Sequence, residues 1–282
     1  MAQSKELTKP EDTKLLPLDS RPDYLPDTIK STGMESLGKD DYKTPRIILL
    51  QGLSPQLENF PETARKDQFW HTGMNIALGT EFSFVPVIAN KRVILWRPRG
   101  DQGGGILAFS KNGKDWDSGK DQEFKIKLKG KKEPVLWRTG KNVISSRLTE
   151  FGTMDPDEDH SAPAASVIYE YLCYLPQFPE LSPCVFGVSK TGLPNGKSFN
   201  TSLAMIARTG TPINCLMAKA FVEDMHNEEG DWTVPNFKLM GKITKDMFMT
   251  TERIKQEFAD YETIYEQDEP TTGQKIGDEI NY

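Results

Sequence analysis

Residues Gly79–Ser110, GTEFSFVPVIANKRVILWRPRGDQGGGILAFS, carry three apolar, β-rich runs in quick succession: Phe82–Ile88, Val93–Trp96 and Ile106–Phe109. Asn90-Lys91 between the first two predicts a hairpin, because Asn tolerates φ > 0 at a tight turn although Lys does not favour it. Phe82, Phe84 and Ile88 alternate with Val85, Val87 and Ala89, so both faces are apolar. That pattern predicts strands buried on both sides or curled into a barrel. Lys91, Arg92, Arg97 and Arg99 sit inside this apolar frame. A core strand does not need such cations, whereas a surface that grips a polyanion does.

Charge arithmetic extends the point. The chain has 282 residues and a net charge of −6. Residues 91–147 hold 15 Lys+Arg against 6 Asp+Glu, a local net of +9. Residues 1–42 come to −3 (6 against 9) and residues 251–282 to −6 (3 against 9). A basic middle between acidic ends fits a polyanion-binding centre, and it fits equally a set of solvated faces. No apolar run approaches the roughly 20 residues of a membrane span. MAQSKELTKPEDTK lacks the apolar core of a secretory signal, so a cytoplasmic protein is expected. Cys173, Cys184 and Cys215 are odd in number and widely spaced, unlike a disulfide framework or a zinc ribbon.

Outward from the central stretch, residues 1–42 read as a disordered arm rich in proline and charge. Residues 43–262 read as one β-rich domain opening at PRIILLQ, and residues 263–282 as a flexible acidic tail. Short strands are expected at Phe69–His71, Glu123–Lys129, Val135–Arg138, Ser166–Leu175 and Cys184–Val188. Asn214–Val222 and Trp232–Met240 form a predicted hairpin. Helices are predicted near Ser198–Ala207, capped by Ser198, and near Thr250–Glu266, capped by Thr250 or Thr251. In Glu123–Lys129 the residues Phe124, Ile126 and Leu128 face one way and Lys125, Lys127 and Lys129 the other. Such a cationic face suits phosphate contact, or an edge strand guarded by lysines against aggregation.

Enzyme signatures are missing. The chain has no G-x-x-x-x-G-K-[S/T] loop, no G-x-S-x-G elbow, and no histidine pair at zinc spacing among His71, His160 and His226. Asp155, Asp157 and Asp159 in DPDEDH, with Glu150, are the nearest thing to a magnesium nuclease site. A calcium loop starting at Asp155 lacks its Gly and Glu, since those positions hold His160 and Ser166. No cofactor or metal is expected. Binding of single strands needs Lys and Arg along a groove and aromatics on which bases stack. Residues 91–147 offer both, with Trp96, Trp116 and Trp137 interleaved; Trp116, in the polar loop KNGKDWDSGKD, is the tryptophan expected to be most exposed. Each of these tryptophans equally suits a core.

The strings PRIILLQGLSP, Trp70-His71, VILWRPR followed by GGGILA, and SAPAAS resemble a group of phage-borne proteins over roughly residues 44–250. Many of that group lack an assigned function, and some resemble phage single-stranded DNA-binding proteins. The plan of a basic β domain with an acidic tail ending in an aromatic is similar to phage and bacterial single-stranded DNA-binding proteins. This resemblance implies an OB-like five-stranded barrel, here mainly β (α+β) with long insertions and two or three helices. It also implies a tail, Asp278, Glu279, Ile280 and Tyr282, that recruits replication or recombination proteins. The resulting expectation is sequence-tolerant single-stranded DNA binding in phage replication or recombination, not catalysis. Its contacts are Lys91, Arg92, Trp96, Arg97, Arg99, Lys125, Lys127, Lys129, Trp137 and Arg138. A phage structural or host-interaction protein using the β scaffold for protein contacts is the alternative, with the nuclease third.

Overall fold

The computed structural model describes residues 43–98, 105–228 and 230–259, with isolated positions between 23 and 41. The chain divides into Met1–Gly38 and Lys39–Tyr282, and the second unit holds every element that follows. Its first part comprises β1 (Arg46–Leu49), α1 (Pro55–Asn59), β2 (Phe69–His71), β3 (Ile76–Gly79) and β4 (Glu81–Trp96). A middle part holds β5 (Ile106–Ser110), β6 (Glu123–Ile126), β7 (Val135–Arg138) and α2 (Val143–Ser146). The last part runs β8 (Ala165–Tyr174), β9 (Cys184–Ser189), α3 (Leu193–Ala207), β10 (Leu216–Asn227), β11 (Gly230–Lys242) and α4 (Lys245–Glu257).

β4 is a single strand of 16 residues, not two joined by a hairpin. Asn90 and Lys91 stay in the ladder opposite Glu170 and Tyr169 of β8. A two-residue hairpin wants φ > 0 at both central positions, which Lys resists, and β8 offers a continuous partner from Val85 to Leu95 instead. A bulge between Pro86 and Ile88 breaks the simple alternation. Phe82 and Phe84 therefore join one core cluster, while Val87 and Ile88 both belong to another. Proline lacks the N–H that a regular ladder needs, so it sits where the pairing is irregular.

Nine strands form one sheet in the order β11-β10-β4-β8-β9-β1-β2-β3, with β5 added to β4, and β6-β7 make a separate ribbon. The mainly β expectation holds, but the sheet is a curled half-barrel of nine strands where a five-stranded OB-like barrel was expected. Phe69 of β2 and Phe82 of β4 lie four strands apart in that order, yet their ring centroids are 4.9 Å apart. A flat sheet would hold them roughly 19 Å apart at ~4.8 Å per strand, so the sheet curls around them. The enclosed core joins Phe69, Phe82, Phe84, Tyr171 and Phe186 to Phe199 and Leu203 of α3. Phe199 stacks on Phe237 of β11 at 4.6 Å. α3 begins at Leu193, with Pro194 in its first turn and Gly192 as N-cap, so the cap expected at Ser198 lies inside the helix.

Side chains tie the ends of the curl together. Gln51 Nε2 donates to the Thr233 carbonyl at 3.2 Å, and Thr233 Oγ1 donates to Asp67 Oδ1 at 2.7 Å. Further along β11, Asn195 Nδ2 donates to the Pro235 carbonyl (3.2 Å) and Asn236 Oδ1 accepts from Phe237 N–H (2.7 Å). Thr233, Pro235 and Phe237 share one register parity, and Pro235 marks it as the side turned away from β10. Side-chain amides thus satisfy polar groups along this edge, which blunts it against pairing with another chain.

The outer face is covered too. α4 sets Ile254 and Phe258 on Val87, Leu172 and Val185, and α1 with its flanks sets Leu57 and Phe60 on Trp70. Thr244 caps α4, accepting from Met247 N–H, so this helix starts five residues before the predicted Thr250. Thr251 is buried and donates to the Asn214 carbonyl. The expected arm over residues 1–42 falls largely, and the expected tail over 263–282 wholly, outside the described residues. No helix among the described residues is long and apolar enough to cross a membrane.

His71 is buried beside the core; its Nδ1 accepts from Met74 N–H (3.3 Å), which leaves Nε2 to donate to the Leu181 carbonyl at 3.1 Å. Burial lowers its pKa below the usual 6.5, only partly offset by the Leu181 bond. The unfolded chain therefore takes up this proton first, and the contribution of neutral His71 is lost as pH falls below about 6.5. Urea denaturation from pH 8 to 5 is expected to show declining stability, by at most about 1.4 kcal/mol per pH unit for one proton. His71→Gln removes that part of the pH dependence.

Candidate nucleic-acid interface

Between β5 and β8 the chain leaves the main sheet and builds a lobe with its own core. Val93 and Leu95 of β4, Ala165 of β8 and Ala108 of β5 supply one wall; Trp116, Ile126, Trp137, Val143 and Leu148 supply the other. A two-stranded ribbon is marginal alone, so β6-β7 depends on this packing. Its register pairs Phe124 with Trp137 and Ile126 with Val135, the sides turned to the core. The opposite face presents the Glu123–Arg138 and Lys125–Leu136 pairs. Lys127 and Lys129 continue the exposed series past the end of β6, as the alternation predicted. None of these three lysines has an acidic partner among the described residues.

The other expected contacts divide. Arg92 is 6% exposed and pairs with buried Glu170 across the β4-β8 ladder, Nη1 to Oε1 3.6 Å. That is an internal ion pair, which corrects its assignment as a phosphate contact. Trp137 is 1% exposed and donates from Nε1 to the Met154 carbonyl at 3.3 Å, so it offers no stacking face. Trp116, expected to be exposed, is 3% exposed and donates to the Thr139 carbonyl at 2.8 Å. Polar neighbours in sequence hid a residue whose ring turns inward beneath them.

Lys91 is exposed, its stem lying against Gly113 so closely that a Cβ there would come within 2.7 Å. Trp96 is 40% exposed at the end of β4, opposite Ile106, and Arg97 donates its backbone N–H to the Gly105 carbonyl. Arg138 is exposed and ion-paired with Glu123. Arg99 and the tail residues Asp278, Glu279, Ile280 and Tyr282 lie outside the described residues.

Beside the outward face of the ribbon runs a shallow groove of about 440 Å³. Leu136 and Arg138 of β7 form one wall, and Arg147, Glu150 and Phe151 of the following loop form the other. Arg147 pairs with Glu150 at 2.7 Å. Sequence reasoning passed over Leu136, Arg147 and Phe151. The available signal was an aromatic next to Gly152 in a loop, which does not distinguish an inward ring from an outward one.

DPDEDH folds as a clamp on a lysine. Lys131 Nζ meets Asp155 Oδ2 at 2.9 Å and Asp157 Oδ2 at 3.0 Å. The Lys131 ammonium, hydrogen-bonded to Asp155, holds that carboxyl below its usual range. Among the described residues no three His, Cys, Asp or Glu side chains are placed to hold a metal ion. Of the carboxylates proposed for a nuclease, Asp155 and Asp157 are thus directed to Lys131 and Glu150 to Arg147.

One protein-family model matches the chain, over residues 11–263; its description is Pam3 phage gp34-like protein. No curated protein and no solved structure matches.

The two kinds of cation respond differently to truncation. Arg92→Ala removes the buried guanidinium that faces Glu170 and is expected to lower stability, by up to about 3–5 kcal/mol in urea denaturation. Combined Lys125→Ala, Lys127→Ala and Lys129→Ala replacement leaves the midpoint close to wild type, since exposed positions away from such features shift stability by about 0.5 kcal/mol or less.

Proposed function

The chain belongs to the Pam3 phage gp34-like protein family, and from that premise we propose that it binds single-stranded DNA without sequence preference during phage DNA replication or recombination. The observation that carries this reading is the exposed row Lys125, Lys127 and Lys129, the first on the outward side of β6, whose other side packs into a core, and the other two in the segment that follows it. Exposed lysines at alternate positions, free of acidic partners among the described residues, suit a phosphate backbone, which rewards regularly placed charge and carries no sequence information. Lys91, Trp96 and Arg97 at the far half of β4 add a second group of exposed or half-exposed candidates. Asp278, Glu279, Ile280 and Tyr282 are the proposed contact for replication or recombination proteins.

A second reading, a phage structural or host-interaction protein, draws on Ile144, an aliphatic side chain 77% exposed on the same lobe. Large exposed apolar groups mark protein contacts as readily as they mark nucleobase contacts.

Fluorescence anisotropy with labelled single- and double-stranded oligonucleotides at several salt concentrations separates the two. Single strands are expected to bind in preference to duplex, with affinity falling steeply as salt rises through counterion release. Replacing Lys125, Lys127 and Lys129 by Ala is expected to flatten the log–log salt slope by about 2, at ~0.7 per lost phosphate contact. Equal binding to both forms, or none at about 50 mM salt, favours the protein-contact reading.

A further inference from the structure

We infer that Phe151 is a base-stacking platform, with Arg138 and Arg147 beside it to take the flanking phosphates. This rests on the single-strand reading above and adds to it an aromatic contact for an unpaired nucleobase. Register supplies the first argument. Lys125 stands opposite Leu136 and Glu123 opposite Arg138, so Lys125, the first of the lysine row, and one wall of the groove share the same face of one ribbon. A single strand tracking the lysines has its bases within reach of that groove.

The second argument is that Phe151 is held in water by an ordered loop. It is 77% exposed, and among the described residues of 105–164 it is the aromatic side chain in the exposed class. Gly152 N–H donates to the Ser161 carbonyl at 2.7 Å, and Met154 N–H to that of Ala162 at 3.0 Å. Thr153 Oγ1 lies 2.6 Å from the Glu150 carbonyl and 3.1 Å from that of Leu148, and it accepts from Ala164 N–H at 3.0 Å. Gly152 has φ 81°, and a Cβ there would lie 3.1 Å from the Asp159 carbonyl oxygen, so the turn beside Phe151 needs glycine. Arg147, at the loop's other end, takes the left-handed conformation with φ 57°. A loop backbone fixed in this way loses little freedom when a base stacks on the ring it carries.

Third, the groove's cations can exchange partners. Arg138 with Glu123 and Arg147 with Glu150 are exposed pairs, a class worth about 0–1 kcal/mol, so a phosphate displaces the carboxylate easily. Guanidinium groups also match phosphate oxygens in pairs of hydrogen bonds. Trp116 and Trp137, which the sequence offered as platforms in this lobe, are buried and leave the role open.

The test uses the full chain and a labelled oligothymidylate. Phe151→Ala is expected to weaken binding about five- to 150-fold, the equivalent of a stacking contact of about 1–3 kcal/mol. The salt slope and melting temperature should stay as in wild type, because neither phosphate contacts nor the core changes. Phe151→Trp should restore binding, and an oligonucleotide carrying 5-iodouracil should photocrosslink to the peptide containing Phe151. Wild-type binding with an unaffected Phe151→Ala variant, or crosslinks mapping only elsewhere, overturns the stacking role and leaves the single-strand reading standing. Absence of any oligonucleotide binding by the wild-type protein overturns both.

Discussion

Everything in this fold depends on β4 remaining one strand. Of its 16 residues, Val85–Leu95 pair with β8 along one edge, while the other edge serves β10 at Glu81–Phe84 and β5 at Val93–Trp96. The half near Phe82 and Phe84 closes the curled sheet around its aromatic core, and the half near Val93 and Leu95 floors the lobe that carries the ribbon. A turn at Asn90 would separate the two cores and leave the β8 ladder without a partner over its middle. The bulge at Pro86 lets the strand change which residues face inward without breaking the pairing.

Electrostatics follow from the same geometry. The stretch that is net +9 in sequence is folded against acids from beyond it: Glu170 meets Arg92, Asp155 and Asp157 meet Lys131, and Glu150 meets Arg147. These contacts differ in weight. Arg92 with Glu170 is desolvated, so removing one partner leaves a buried charge. The pair at Arg147 stands in water, where screening and side-chain entropy take most of the Coulomb gain. The positive charge left exposed is smaller than the charge count implied; it includes Lys125, Lys127 and Lys129, together with Lys114, Lys120, Lys132 and Lys141.

How much of this was legible depended on the range of the interactions involved. The alternation of Phe124, Ile126 and Leu128 with lysines is local, and it read correctly. Strands at Phe69–His71 and Val135–Arg138 and the β10-β11 hairpin were likewise carried by short runs with clear turns. Asn90-Lys91 predicts a break that the strand does not have, because pairing with β8 overrides the local turn preference. β3 went unseen, since Ile-Ala-Leu-Gly is too short to show a period. Trp116, expected to be exposed, turns inward to the Thr139 carbonyl, and Phe151, whose neighbours leave its direction undecided, stands outward beside Gly152. Such choices are made by tertiary contacts far along the chain, and local polarity does not record them. The nine-stranded curl was hidden for the same reason: apolar faces announce burial on both sides but not how many strands share it.

Hydrogen–deuterium exchange with and without saturating oligothymidylate tests the central claim, that the outward face of the β6-β7 ribbon and its neighbouring loop form the nucleic-acid surface. Protection is expected in peptides covering residues 122–138 and 147–154, with β9 and α3 unchanged. Protection confined to other segments, with these two exchanging as in the free protein, would contradict it.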